Sequence, residues 1–416
     1  MKTEIPDVAV IGAGPAGLAA ASSAREYGVK DVVVIERDGE VGGILQQCIH
    51  NGFGLHYFKQ DLTGPEYALR FARRAEEFGV RYKLNTMVLD IRGGKILAVN
   101  PGEGMLEVRP KSIVLAMGCR EKTRDSLGIP GTRPSGIFTA GLAQRLINIE
   151  GYMPGRRVVI LGSGDVGLIM ARRFALEGAE VRAVVEMMSH PGGLLRNVVQ
   201  CLEDFGIPLL LSHTIVNIKG GNRIKSVVIA RVGEDFNPIG GTEEEIECDT
   251  LLLSAGLIPE NELSEKAGVE MDPETGGPVV DEFLHTSIEG IFACGNVLHV
   301  NDLADNVSLE GEVAGRSAAQ FALNKLPERE IGLRIKAGEN ARQIVPGKIV
   351  NGQEPVRISM RGKLPMNDSE VVFENTGLVF KRRYIRPAEM VTVQLKKDDM
   401  RKLRAVREEV ISIRER

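Results

Sequence analysis

Apolar and polar positions follow the same succession twice along this chain. Residues 7–36 read DVAVIGAGPAGLAAASSAREYGVKDVVVIE, and residues 157–186 read RVVILGSGDVGLIMARRFALEGAEVRAVVE. Each stretch opens with a continuous apolar run of strand length, which predicts a strand buried on both faces. Each then turns through G-x-G-x-x-G (Gly12, Gly14, Gly17; Gly162, Gly164, Gly167) and continues with apolar residues at helical spacing. A glycine (Gly28, Gly178) resets the chain, and a second apolar strand ends in a glutamate, Glu36 or Glu186. The first glycine and that glutamate are 24 residues apart in both copies, 12 to 36 and 162 to 186.

Each position in this unit has a physical task. Gly12 and Gly162 permit a tight turn, and Gly14 and Gly164 let backbone approach a pyrophosphate. Gly17 and Gly167 let helix and strand pack closely, leaving the anion on a helix N-terminus made of Pro15 and Ala16, or of Asp165 and Val166. Asp165 also suits a turn or cap. Glu36 and Glu186 would accept hydrogen bonds from a ribose hydroxyl. One such loop is weak evidence, but two βαβ units with the acid at matched spacing predict two dinucleotide sites. The expected fold class is α/β with two Rossmann-like domains. Glu186 favours NAD in the second site, because a carboxylate repels a 2′-phosphate, although Arg196 ten residues on could meet one.

Composition narrows the picture by exclusion. The chain has 416 residues, 43% hydrophobic and 26% charged, with 52 Lys plus Arg against 56 Asp plus Glu. That balance gives no basis for nucleic-acid binding. Five cysteines at wide spacing form no C-x-x-C pair, so neither a disulfide framework nor a metal site is expected. No apolar run approaches the ~20 residues of a spanning helix. A cytoplasmic protein is expected, meeting a membrane only through a partner.

After Glu36 and Arg37 the chain continues through Gly42-Gly43, and much later HTSIEGIFACGNV ends a strand at Gly295-Asn296, with a helix from about Asn306. This arrangement resembles the FAD fingerprints of glutathione-reductase-like flavoproteins, in which the second strand ends in Gly-Asp. The resemblance implies that Asn296 meets the ribitol and that the helix, near Val307, points its N-terminus at the flavin. SIVLAMGCR (Ala116, Gly118) and LLLSAGLIPEN (Gly256) resemble the junctions between the two domains of such proteins. The implied organisation is a split FAD domain at 1–125 and 278–328 and an NAD domain at 150–275.

GGILQQCIHNGFGLHYF, LTGPEYA, GIPGTRPSGIFTAGLAQRLIN, HPGGLLRNVVQCLEDFGIPL and ACGNVLHVNDLADNVS are similar to a narrower group. These are the FAD/NAD alpha subunits of multi-subunit dehydrogenases: opine oxidase, hydrogen cyanide synthase and sarcosine oxidase. The nearest likeness is to the flavoprotein encoded beside anaerobic-type glycerol-3-phosphate dehydrogenase. The resemblance covers roughly residues 1–330 and implies a hetero-oligomer. The substrate would be oxidised on a partner dehydrogenase subunit, with a small iron–sulfur or cysteine-containing protein as a further partner. The disulfide-reductase dithiol is absent, since its two positions fall on Leu45 and His50. A single Cys48, with His50 and His56 nearby, leaves open a stand-alone NADH oxidase or peroxidase; the bland alternatives are a packed thiol and structural histidines. Cys119 and Cys294 read as core. A non-catalytic, nucleotide-holding assembly subunit is a third reading.

Residues 329–416 read as a β-rich module. VRISMRGKL and VVFENTGLVF alternate in strand fashion, and Asn375-Thr376-Gly377 reads as a hairpin turn. The final stretch from Lys396 is charged, with eight basic residues against five acids, and reads as helical at its start on a solvated face. The module is either a docking surface for the dehydrogenase partner or a lid on the FAD domain.

Overall fold

The computed structural model describes residues 1–416. Its first sheet is built from β1 (Val8–Ile11), β2 (Val32–Ile35), β3 (Arg81–Lys83) and β4 (Ser112–Leu115). Helices α1 (Pro15–Tyr27) and α2 (Gly64–Glu77) accompany these strands. All four residues of β1, β2 and β4 are buried, as their unbroken apolar runs require. An antiparallel ribbon at 87–108 carries Lys2–Glu4 along one edge.

The chain then leaves the first unit at Cys119 and does not return until Pro259. The second unit repeats the plan with β5 (Ile137–Thr139), β6 (Arg157–Leu161), β7 (Glu180–Glu186), β8 (Leu209–Leu211) and β9 (Thr250–Leu253). Its glycine-loop helix is α3 (Asp165–Leu176). The order β5-β9-β6-β7-β8 is parallel throughout.

The returning chain supplies β10 (Ile291–Ala293), which completes the first sheet in the order β10-β4-β1-β2-β3, again all parallel. The two orders match over four strands, while the outermost strand beside β4 or β9 comes last in the chain in the first sheet and first in the second. Helix α4 (Ala304–Ala322) then packs on α1 through small residues. A Cβ built on Gly311 would lie 2.3 Å from the Ala16 carbonyl, and one on Gly315 2.0 Å from the Ala20 carbonyl.

The unit boundaries differ from those expected. The second unit spans Arg120–Ile258 rather than 150–275. Strand β5, which lies upstream of the glycine motif, pairs with β9 and so belongs to the second sheet. Residues 259–275 belong with the first unit, as do residues 329–416.

The C-terminal part has its own apolar core, centred on Ile358, Met360, Val371, Phe373, Val393 and Ile413. Its main strands are β11 (Leu333–Ala337), β12 (Val356–Gly362), β13 (Met366–Phe373), β14 (Leu378–Ile385), β15 (Val391–Leu395) and β16 (Glu408–Glu415). β13 and β14 form the hairpin expected around Asn375-Thr376-Gly377. The expected solvated C-terminal face is corrected here. After a short helix at Lys397–Leu403, β16 runs between β11 and β13. Its Glu409 is fully buried, accepting hydrogen bonds from Asn375 N at 2.8 Å and Thr376 Oγ1 at 2.7 Å. An acid read as surface charge therefore anchors the hairpin turn.

Candidate functional site

The first cradle is shaped by three glycines with different surroundings. Gly12 takes φ +103°, and a Cβ there would stand 2.4 Å from the Ala116 carbonyl oxygen. A Cβ on Gly17 would stand 1.9 Å from the Gly12 carbonyl. Both are forced by close packing. Gly14 has nothing within 4 Å of its Cβ position, and it N-caps α1 with no side-chain cap. An open face beside uncapped helical N–H groups is a cradle that can receive an anion. Glu36, buried, accepts hydrogen bonds from Ala13 N (2.7 Å) and Asp38 N (2.9 Å). The Gly42 N–H donates to the Ala13 carbonyl at 2.8 Å, and a Cβ on Gly43 would be 3.1 Å from Gly14 Cα, so this pair lies on the cradle. Arg37 is exposed beside it.

The second cradle repeats this geometry. Gly162 takes φ +95° with the Ser254 carbonyl 2.3 Å from its Cβ position, and Gly167 is packed at 2.8 Å against Gly162 and Ser254. Gly164 again meets nothing closer than 3.6 Å and caps α3 with no side-chain bond. Glu186 Oε2 accepts from Ser163 N (2.9 Å) and Ser163 Oγ (2.6 Å), while Oε1 accepts from Met188 N (2.9 Å). Ser163 Oγ also accepts from Gly192 N at 2.7 Å.

Asp165 is committed inside the protein. Its Oδ1 accepts from Leu194 N (2.8 Å) and Asn197 Nδ2 (2.7 Å), holding the loop that leads into helix Leu195–Cys201. Val166 is partly buried against the helix core, and Arg196 is exposed on that short helix. Gly256, at φ +107°, lies beside the Lys122 side chain. Ser163 and Ser254 were not legible as site residues, since a serine in a glycine loop carries no distinctive pattern.

A third element crosses the carboxyl edge of the first sheet. Gly295 follows β10, and a Cβ on it would lie 2.8 Å from the Ala16 Cβ, so residues 295–306 start against the first cradle. Asn296 Oδ1 accepts from Asn301 N at 2.9 Å, and its Nδ2 donates to Cys119 Sγ at 3.5 Å. Glu310 accepts from Gly295 N (2.9 Å) and pairs with the buried His299 Nε2 (2.6 Å). Three buried polar atoms on this stretch have no hydrogen-bond partner in the protein: His299 Nδ1, Asn301 Oδ1 and Asp305 Oδ1. Three unpartnered polar atoms, two of them oxygens that accept, suit a polyhydroxyl ligand, whose hydroxyls both donate and accept. Val307 turns its side chain under Gly295, and its N–H meets the Leu303 carbonyl at 3.4 Å.

The thiol chemistry that the sequence left open gains no support from the surroundings of Cys48. Cys48 Sγ donates to the Ile44 carbonyl at 3.3 Å, and burial pushes its thiol up to about 12, so it carries no thiolate at neutral pH. His50 packs beside Phe53, with ring centroids 5.2 Å apart, and His56 is exposed, its backbone N–H donating to Asp305 Oδ2. Cys294 is core, as expected, but Cys119 is half-buried and partnered by Asn296.

The family model described as pyridine nucleotide-disulphide oxidoreductase matches residues 6–322. The chain belongs to the pyridine nucleotide-disulphide oxidoreductase family. One of the opine oxidase subunits, from Agrobacterium tumefaciens, is 28% identical over 77% of this chain and 66% of its own length. The HcnB subunit of hydrogen cyanide synthase from Pseudomonas protegens is 27% identical over 63% of this chain and 58% of its own. The chain thus spans about two-thirds or less of these curated relatives. Thioredoxin reductase from T. acidophilum shares the fold, at 23% identity and TM-score 0.63, covering 77% of this chain and 99% of that one. The two cradles and the unpartnered polar atoms fit the family's two dinucleotides. In the structure no helix is long and apolar enough to cross a membrane.

Proposed function

We propose that this chain is the electron-transfer subunit of a multi-subunit dehydrogenase, linking NAD(H) to a partner that oxidises the substrate. The observation that carries the reading is a pair of open cradles with no dithiol beside them. Leu45 and His50 stand where disulfide reductases place their cysteines, and desolvation holds the half-buried Cys48 thiol above the usual thiol range. With no thiol relay beside the cradles, the flavin in this reading exchanges its electrons with a redox centre on a partner. The opine oxidase and hydrogen cyanide synthase relatives are both named as subunits, which supports a hetero-oligomer. The resemblance noted above makes a glycerol-3-phosphate dehydrogenase-like protein the favoured partner, with a small iron–sulfur or cysteine-containing protein as a further one.

When bound, FAD and NAD(H) supply the hydride chemistry themselves. The protein's part is to hold and orient. Gly14 and the α1 N-terminus receive one pyrophosphate, Glu36 its ribose, and residues 295–306 the flavin end. Gly164, the α3 N-terminus and Glu186 serve the nicotinamide dinucleotide, and the Glu186 carboxylate favours a free 2′-hydroxyl over a 2′-phosphate.

The test is anaerobic titration of the purified chain with NADH and NADPH, following oxidised-flavin absorbance. Bleaching at far lower NADH than NADPH is expected. Bound FAD that neither nucleotide bleaches would remove the hydride-transfer reading.

A further inference from the structure

The C-terminal β module lies beyond the region matched by the family model, which ends at residue 322. Its contacts nevertheless converge on the stretch that carries the unpartnered polar atoms. Arg357, on β12, donates from Nη2 to Asn306 Oδ1 at 2.6 Å, in the first turn of α4. Arg361, on the same strand, is buried. Its Nη2 donates to the Val300 carbonyl at 3.1 Å and its Nη1 to the Ala388 carbonyl at 2.7 Å. Met390 N donates to Asp302 Oδ2 at 2.9 Å. Residues 300, 302 and 306 are thus each tied to the module, and the unpartnered polar atoms of His299, Asn301 and Asp305 are interleaved with them.

Arg357 is not a surface charge. Burial lowers its pKa, and the carboxylates that offset this, Glu310 and Asp302, lie on and just before α4 rather than on the module. A guanidinium desolvated at that location is held by the stretch it positions. The module is itself anchored from behind. The Glu282 carboxylate accepts the backbone N–H groups of Val350, Asn351 and Gly352 at 2.8 to 2.9 Å.

We propose that the C-terminal module forms one wall of the FAD site, with Arg357 the positioning residue for the α4 N-terminus. This rests on the assignment of FAD to the first cradle. Fixing residues 300–306 presents their polar atoms in one arrangement, so that binding does not have to order the loop. An unfixed loop would cost affinity.

The experiment is FAD titration of flavin-stripped full-length chain, for the wild type, Arg357→Met and Arg357→Lys. Arg357→Met is expected to raise the FAD Kd at least about tenfold, equivalent to about 1.4 kcal/mol. It is also expected to shift the absorption maximum of bound flavin, while the melting temperature of the apoprotein stays that of the wild type. Arg357→Lys should restore part of both. If Arg357→Met does not fold, Asn306→Ala removes the same bond from the other side and should raise the Kd likewise. A wild-type Kd together with an unshifted spectrum in the folded variant would overturn the proposal. A wild-type chain that takes up no FAD would overturn the FAD assignment beneath it, an outcome visible before any variant is made.

Discussion

Asp281 sits 4% exposed at the head of the turn leading to β10, its Oδ1 accepting from Phe283 N and His285 N. Burial raises its pKa to about 7, with Glu282 next door adding to the effect, and Arg329 is too far, at 3.9 Å, to cancel it. A carboxyl whose folded pKa is raised contributes stability that is present below its unfolded value and lost as pH rises through the folded one. The same turn holds His285, whose burial and neighbouring Arg329 lower its pKa to about 4. That group acts in the opposite sense, its contribution being lost as pH falls from about 6.5 to about 4. Above pH 7 only Asp281 still costs, by at most about 4 kcal/mol. Asp281→Asn keeps the two accepted bonds and removes the charge. It should be more stable than wild type at pH 8, with the difference shrinking toward pH 4; urea melts at both pH values measure it, and a variant less stable at pH 8 would contradict the argument. Cys48 is the other residue whose surroundings decide its role. Since its thiol stays protonated, Cys48→Ser should leave the rate of NADH-driven flavin bleaching within about twofold of wild type. Stopped-flow absorbance would expose a larger loss and restore the peroxidase reading.

Helix α4 can lie on α1 only because Gly311 and Gly315 present no side chain to the Ala16 and Ala20 carbonyls. Gly315→Ala must separate two helices whose contact the first sheet depends on, and should cost about 2–3 kcal/mol, read as a lower melting temperature and weaker FAD retention. Unchanged values would mean that the helices can part freely. The strands and helices around both glycine loops were legible because each is coded locally, by an unbroken apolar run, a glycine turn and an acid at fixed spacing. The strand β5 was not, because its place is set by pairing with β9, more than a hundred residues away. Strand β16 was missed for a related reason. Its sequence is as charged as a surface helix, and only the fold reveals that Glu409 faces inward onto the β13–β14 turn. Removing that acceptor strands buried N–H groups, so Glu409→Ala should destabilise the module by about 2–4 kcal/mol, whereas Glu408→Ala, on the exposed neighbour, should do little. Hydrogen exchange at residues 373–378 distinguishes the two.

At the scale of the molecule, one ligand-binding plan occurs twice in separate parts of the chain, and the matched spacing of glycines and glutamates makes both copies visible in the sequence. What spacing could not convey is the asymmetry between them. The second cradle closes on itself, since Glu186, Ser163 and Gly192 form one hydrogen-bonded set and Asp165 holds the adjoining loop. The first extends outward, through residues 295–306 and on to the C-terminal module, and those long-range contacts leave no local pattern in the sequence. The asymmetry implies that the two dinucleotides stabilise different residues. A ligand that binds only the folded state raises the stability of the part it contacts according to its concentration over Kd. FAD should therefore slow amide exchange at residues 8–36, 112–118 and 295–308, together with β12, which carries Arg357. NADH should slow it at 157–167 and 184–194 and leave β12 unchanged. Protection of β12 by NADH alone, or of the second cradle by FAD alone, would show that the assignment of dinucleotide to cradle is reversed.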